Sequence, residues 1–307
     1  MDLEKDYATE ILELNPDYEG EVISVLISSN FNVGNRKSVL YIHGYVDYFF
    51  QSHLGKRFNE AGFDFFAIDL RKYGRALLDH QHPNYCRDIS EYFEEISIAI
   101  KKIKSRSSSL FLLGHSTGGL IASYYMNLGK EKGLVDGLIL NSPFFDFNLS
   151  KLEKSLSIFT AKTIAKLSNY AKVNGALSPI YGQSIHRDFY GEWDFNLNWK
   201  PIKGFPTYLK WIAAIARAQK SLSNSNIKVP VLVMHSSGST TPKKYSEEAM
   251  TNDIVLNIDD IKRVGQSLGN NVTLMEIDNA IHDIFLSQKP VREEAFSKIF
   301  LWLKDRF

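Results

Sequence analysis

The chain has 307 residues, with 36 Lys and Arg against 35 Asp and Glu, and a formal net charge of +1. Its 44% hydrophobic and 23% charged residues are globular proportions, which excludes a disordered or fibrous chain. A near-neutral surface offers phosphates no general attraction, so nucleic acid is not an expected partner.

The length suits one large α/β domain with an insertion, or two domains. The single cysteine, Cys86, cannot close an internal disulfide, and no CxxC spacing serves zinc or redox chemistry. The run Met1-Asp2-Leu3-Glu4-Lys5-Asp6 lacks the apolar centre of a secretory signal. Leu110 to Met126 is uncharged, but His115, Ser116, Thr117 and paired glycines make it a poor membrane span. A cytoplasmic location is expected.

Short apolar, β-branched or aromatic runs read as buried strands at Val22–Ile27, Ser38–Ile42 and Phe63–Ile68. Ile89, Tyr92, Phe93, Ile96, Ile100 and Ile103 then recur at helical spacing. A strand follows at Leu110–Leu113, a helix at Leu120–Leu128 and a strand at Gly137–Leu140. After a long gap come strands at Val231–Met234 and Val272–Ile277. A last amphipathic helix runs through Ala295, Phe296, Ile299, Phe300 and Trp302. Such alternation predicts an α/β fold with a mostly parallel sheet covered on both faces.

The gap, from about Phe144 to Ile227, holds helical and loop signals and no clear strand. Leu149, Leu152, Leu156, Phe159, Ile164 and Leu167 form one apolar stripe; Tyr208, Trp211, Ile212 and Ile215 form another. Turn signals at Ser142-Pro143 and Val229-Pro230 bound it. The expected organisation is therefore a core of 1–143 and 228–307 with a helical cap at 144–227.

The sharpest motif is Gly114-His115-Ser116-Thr117-Gly118, a G-x-S-x-G between an expected strand and an expected helix. A serine on so tight a turn projects its hydroxyl above the sheet edge, and the flanking glycines let strand and helix pack closely. The N-terminal amides of the helix favour negative charge there. Ser116 is thus the candidate nucleophile. No G-x-G-x-x-G, Walker lysine motif or H-E-x-x-H is present, and no cofactor or metal is expected.

On these residues the chain resembles the α/β-hydrolase superfamily, within it the lysophospholipase and monoacylglycerol-lipase-like serine hydrolases grouped with the S33 aminopeptidases. The resemblance runs from about Val22 to the C-terminus and is weakest in the cap. It implies an oxyanion hole, with the Thr117 amide as one donor. His43-Gly44-Tyr45 resembles the family's H-G after the third strand, which makes the Tyr45 amide the second donor. Asp278-Asn279-Ala280-Ile281-His282-Asp283 resembles the family's G-x-x-H-[DE] after the last strand and implies His282 as general base. His115 and His235 are expected to be structural.

The family's acid lies a few residues beyond the strand that here is Val231–Met234, where this chain has His235-Ser236-Ser237-Gly238-Ser239-Thr240-Thr241. Asp253-Ile254-Val255 resembles the family's D-x-V displaced by an insertion, so the acid role passes to Asp253, with Glu248, Asp259 and Asp260 in reserve. The order Ser, Asp, His agrees with this fold. Asp69-Leu70-Arg71-Lys72-Tyr73-Gly74-Arg75 resembles a loop-anchoring segment of the family, with Ala76 where Ser is usual. Trp193 and Trp199 are expected to pack the cap.

The resemblance implies a serine ester hydrolase for small-molecule acyl esters such as a lysophospholipid or monoacylglycerol. An S33-like aminopeptidase and a non-catalytic binding protein of the same fold are the alternatives. Asn148 to Asn174 holds five lysines against one acid, Glu153. That leaves open a peripheral contact of the cap with a lipid surface, beside an ordinary solvated face over core packing.

Overall fold

Alternate residues of the central strands point to opposite sides, and each side meets its own helices. The computed structural model describes residues 3–34, 36–173 and 177–307, with the side chains of Leu3, Glu4 and Lys151 excepted. The chain runs through α1 (Leu3–Asp6), β1 (Tyr7–Glu13), β2 (Ile23–Ser29), β3 (Lys37–Ile42), α2 (Ser52–Glu60) and β4 (Asp64–Asp69). It continues with α3 (Phe93–Lys104), β5 (Ser109–His115), α4 (Thr117–Leu128) and β6 (Gly137–Asn141). Next come α5 (Lys151–Leu167), β7 (Lys172–Val173), α6 (Pro179–Ile185), β8 (Thr207–Tyr208) and α7 (Leu209–Ser221). The chain then closes with β9 (Val231–Ser236), α8 (Ile258–Gly265), β10 (Val272–Ile277) and α9 (Lys289–Arg306).

Eight strands form one sheet in the order β1-β2-β4-β3-β5-β6-β9-β10. Pairing is antiparallel for β1 with β2 and for β2 with β4, and parallel from β4 through to β10. Val39, Tyr41, Phe65, Ala67, Phe111 and Leu113 pack with Leu54 and Phe58 of α2 and Phe296 and Ile299 of α9. The residues between them, Leu40, Ile42, Phe66, Ile68 and Leu112, pack with Ile96 and Ile100 of α3, Leu120 of α4 and Ile215 of α7. This period of two with both faces apolar makes the strands continuous hydrophobic runs. Each such side chain stabilises the fold by about 1.5–3 kcal/mol when fully buried.

All seven expected strands occur, with ends within two residues of those expected. The sequence pattern missed β1. It is an edge strand with only Tyr7 and Leu12 buried, and it exposes Glu10 and Glu13, one on each face. Charge on an edge strand discourages pairing with other chains and hides the apolar signal.

The segment between β6 and β9 adds no strand to this sheet. Contrary to the expectation of no strand, it holds β7 and β8, which are two residues each and pair with one another. Residues 174–176 of the expected cap lie outside the described residues, as does the Lys151 side chain of its basic run. In α5 the small Ala161 and Ala165 pack on Leu209 of α7. The long residues therefore point outward, with Leu152 80%, Phe159 69% and Leu167 86% exposed. Periodicity identified the stripe, but the alanine face takes the core contact.

The segment sits on loops at the C-terminal ends of the parallel strands. Trp193 donates from Nε1 to the Leu286 carbonyl at 2.8 Å and stacks on His53 with centroids 4.3 Å apart. Trp199 meets Tyr48 edge-on at 5.1 Å. Both tryptophans pack as expected. Among the described residues no helix is long and apolar enough to cross a membrane.

His53 donates from Nε2 to the Phe285 carbonyl at 2.8 Å. Burial pulls its pKa from the usual 6.5 down to about 4, against the opposing pull of that carbonyl and Asp283. The unfolded chain therefore binds this proton more readily than the folded one. The contribution is fully present above pH 6.5 and is lost as pH falls towards 4. Urea midpoints are expected to drop between pH 7 and 4.5, and to drop less in His53→Gln, which keeps a donor for Phe285. Equal slopes in the two proteins would remove His53 from the account.

Candidate active site

β5 ends at His115 and α4 starts at Thr117, so Ser116 alone makes the turn, at φ 52° and ψ −117°. Such a backbone costs a non-glycine residue about 1–3 kcal/mol and persists only when its surroundings over-determine it. Here the Ser116 amide donates to the Asn141 carbonyl at 3.0 Å. Its own carbonyl accepts from the amides of Gly119, Leu120 and Phe144 at 2.9, 3.2 and 2.9 Å. A Cβ on Gly118 would collide with the carbonyl oxygens of Ile42 and His43, so α4 meets the end of β3 backbone to backbone. A Cβ on Gly44 would stand 3.2 Å from Ser116 Cβ, which brings the loop after β3 against the serine.

His282 follows β10. Its Nε2 lies 3.0 Å from Ser116 Oγ and its Nδ1 lies 2.8 Å from Asp253 Oδ2. Asp253 is fully buried, and its other oxygen accepts from the Val255 and Leu256 amides, each at 2.8 Å.

The chain geometry explains how a displaced residue reaches this place. β9 ends at Ser236, and the chain then makes an excursion that closes on itself. The Asp253 amide donates to the Gly238 carbonyl, and the Thr240 amide donates to the Asp253 carbonyl, both at 3.0 Å. Asp253 thereby stands beside Ser239 in a parallel bridge, just beyond the strand. The reserves go elsewhere: Glu248 lies in a single 3-10 turn, and Asp259 and Asp260 lie in the first turn of α8, where Asp260 pairs with Arg263.

Thr117 is the first residue of α4, so no helical carbonyl lies behind its amide. Among the described residues neither the Thr117 nor the Tyr45 amide makes a hydrogen bond. His43 shapes the loop before Tyr45. Its Nε2 accepts from the Leu70 amide at 3.1 Å, so the proton sits on Nδ1, 2.8 Å from the Gly44 carbonyl. Burial pulls the His43 pKa below its usual value and keeps the ring neutral. Asp69 anchors both neighbouring loops, accepting from the Phe49 amide at 2.8 Å and from Arg75 Nη1 at 2.7 Å. Arg71 pairs with buried Glu95 at 2.7 Å, the anchoring role expected of it.

His115 is buried with Nδ1 3.2 Å from the Asn141 carbonyl, and burial lowers its pKa. His235 donates to the Ser236 carbonyl at 2.7 Å. Both make the structural contacts expected.

Sequence reasoning missed the support behind His282. Asp283 accepts from Asn141 Nδ2 at 2.8 Å and from Gln51 Nε2 at 3.2 Å, and Gln51 also donates to Tyr41 Oη at 3.1 Å. Asn141 Oδ1 accepts from the Ile284 amide at 3.2 Å. The one signal was an asparagine closing an otherwise apolar strand.

A mostly parallel sheet between two helix layers, with a strand–serine–helix turn at its carboxyl edge, defines an α/β-hydrolase. Residues 34–289 match the family described as Serine aminopeptidase, S33, and the chain belongs to that family. It is 23% identical over 262 residues to Phospholipase YtpA of Bacillus subtilis, covering 84% of this chain and 91% of that protein. To Monoglyceride lipase of Saccharomyces cerevisiae it is 22% identical over 272 residues, covering 83% of each. A crystal structure of a soluble variant of that yeast lipase with a substrate analog superposes with a TM-score of 0.71 at 19% identity. It covers 98% of this chain and 97% of the other.

Proposed function

We propose that the chain is a serine carboxylic-ester hydrolase that works through an acyl-enzyme on Ser116. The observation that carries this reading is the buried hydrogen-bonded series Ser116 Oγ, His282, Asp253, with links of 3.0 and 2.8 Å. In this scheme His282 Nε2 takes the hydroxyl proton as Ser116 Oγ bonds to the acyl carbonyl carbon. The oxygen that becomes negative is held by the Thr117 and Tyr45 amides. His282 then gives the proton to the departing alcohol, and the acyl group stays on Ser116. Water repeats the sequence, with His282 taking its proton, and the carboxylic acid leaves. Asp253 holds the Nδ1 proton and stabilises the imidazolium between steps. The scheme balances with no cofactor.

The substrate class we assign is an acyl ester of a polar alcohol, such as a lysophospholipid or monoacylglycerol. The names of the similar phospholipase and monoglyceride lipase support it. Residues 144–227 would act as the cap over the acyl group, and the single buried cysteine, Cys86, suits a cytoplasmic site of action. A fluorophosphonate probe is expected to label the wild type, to leave Ser116→Ala unlabelled, and to label Asp253→Asn about 10²- to 10⁴-fold more slowly. Wild type is expected to cleave long-acyl p-nitrophenyl esters faster than acetyl esters and to spare aminoacyl amides. Full labelling of Ser116→Ala removes the mechanism; preference for the amides makes the protein a peptidase; no labelling or turnover in the wild type makes it a binding protein.

The outward stripe of α5 supports a second part of this reading, docking on an anionic lipid surface. Lys162, Lys166 and Lys172 are exposed around it, and none has an acid within ion-pair distance among the described residues. An exposed apolar stripe bordered by free ammonium groups fits an acyl–headgroup boundary. The protein should sediment with vesicles containing phosphatidylglycerol more than with pure phosphatidylcholine. Leu156→Ser/Phe159→Ser should stay in solution with its rate on a soluble ester unchanged. Wild type that ignores both vesicles contradicts the docking.

A further inference from the structure

The loop after β3 carries Tyr45, and three residues of that loop, Tyr45, Asp47 and Tyr48, contact the segment 144–227. The Tyr45 ring stacks on Trp211, with centroids 4.0 Å apart, and its hydroxyl donates to Thr207 Oγ1 at 3.0 Å. Val46, between Tyr45 and Asp47, stands at φ 50°, a backbone region that β-branched residues rarely adopt. Asp47 Oδ1 pairs with Lys200 Nζ at 2.7 Å, both side chains at most 9% exposed. Tyr48 Oη accepts from the Asn196 amide at 2.7 Å.

The ion pair is the one charged link in this set. Burial pushes the Asp47 carboxyl up, yet the Lys200 ammonium outweighs burial and holds it below the usual carboxylate range. The group is therefore ionised inside the protein, where, among the described residues, only Lys200 reaches it as a hydrogen-bonded counter-charge. Such a pair is weak evidence of net stability, but removing either member alone leaves an uncompensated buried charge. It ties the loop to Lys200 one residue beyond Val46, whose backbone conformation persists only where its surroundings over-determine it.

We propose that Lys200, acting through Asp47, is a positioning residue that aims the Tyr45 amide at the oxyanion site. The segment 144–227 is on this account part of the reaction centre, and not only a wall around the acyl group. The inference rests on the ester-hydrolase reading. A donor serves a developing oxyanion only when held about 2.7–3.1 Å from it, so a loop that relaxes loses rate while ground-state binding survives.

The test measures kcat and KM on a soluble p-nitrophenyl ester. It also measures inhibition by a trifluoromethyl ketone with the same acyl chain, whose adduct oxygen would occupy the oxyanion site. Lys200→Met is expected to lower kcat about 10- to 100-fold, somewhat less than deleting a donor outright. KM should stay within about twofold, and ketone binding should weaken by the same factor as kcat. Lys200→Arg should recover most of both. Asp47→Asn/Lys200→Met removes the buried charges together, folds without an unpaired one, and should stay slow.

Unchanged kcat in Lys200→Met, or a change confined to KM, overturns the positioning role. Wild-type kcat in the double variant does the same. Wild type that neither turns over the ester nor binds the ketone overturns the ester-hydrolase reading and this inference with it.

Discussion

Ser116 sits in a backbone conformation that only its neighbours make tenable, and the arrangement around it follows from holding that turn. Four backbone hydrogen bonds surround the residue, and one of them reaches β6 and another the chain that leaves it. The strain of about 1–3 kcal/mol is comparable to burying one or two large apolar side chains. The two core layers flanking β5 supply many of those. Close backbone contact between Gly118 and the end of β3 then leaves no slack. A turn defined this tightly projects one hydroxyl in one direction, and the loops after β3, β9 and β10 converge on it.

Those loops come from separate parts of the chain and share only the carboxyl edge of the sheet. Buried polar contacts tie them down: Asp253 with His282 between the loops after β9 and β10, Asp283 with Asn141 beside β6, and Asp47 with Lys200 in the loop after β3, while Asp69 with Arg75 and Arg71 with Glu95 hold the neighbouring segment after β4. Each joins elements distant in sequence or fixes a tight loop, and each leaves a buried charge or dipole unmet if one partner moves. Apolar packing sets how firmly the sheet holds together. These contacts set where the loops stand relative to one another, which is the quantity a hydrogen-bonded series of 3.0 and 2.8 Å is sensitive to.

Much of this was legible in order along the chain. Central strands announce themselves because both faces are buried, whereas β1 is buried at two positions and exposes an acid on each face. Ser116 stood out as a candidate from its motif, and His282 from resemblance and chain order, and the structure brings the two within 3.0 Å. Asp253 could be reached only by resemblance, because what returns it to the strand end is its pairing beside Ser239, a contact that local sequence does not encode. Asp47 and Lys200 carried no sequence signal at all: each is an ordinary charged residue until the fold buries both. The α5 stripe shows the limit of periodicity, which finds a helix with two unlike faces and cannot say that two alanines claim the interior.

The proposed chemistry makes Ser116 carry the acyl group between two half-reactions, and that species is directly weighable. Wild-type protein would be mixed with a long-acyl p-nitrophenyl ester, quenched in acid within the first turnovers, digested and measured by mass spectrometry. The account predicts that the peptide containing Ser116 gains the mass of the acyl group, and that this gain disappears as substrate is exhausted. Steady release of p-nitrophenol with the acyl group on another residue, or with Ser116→Ala equally active, would contradict it.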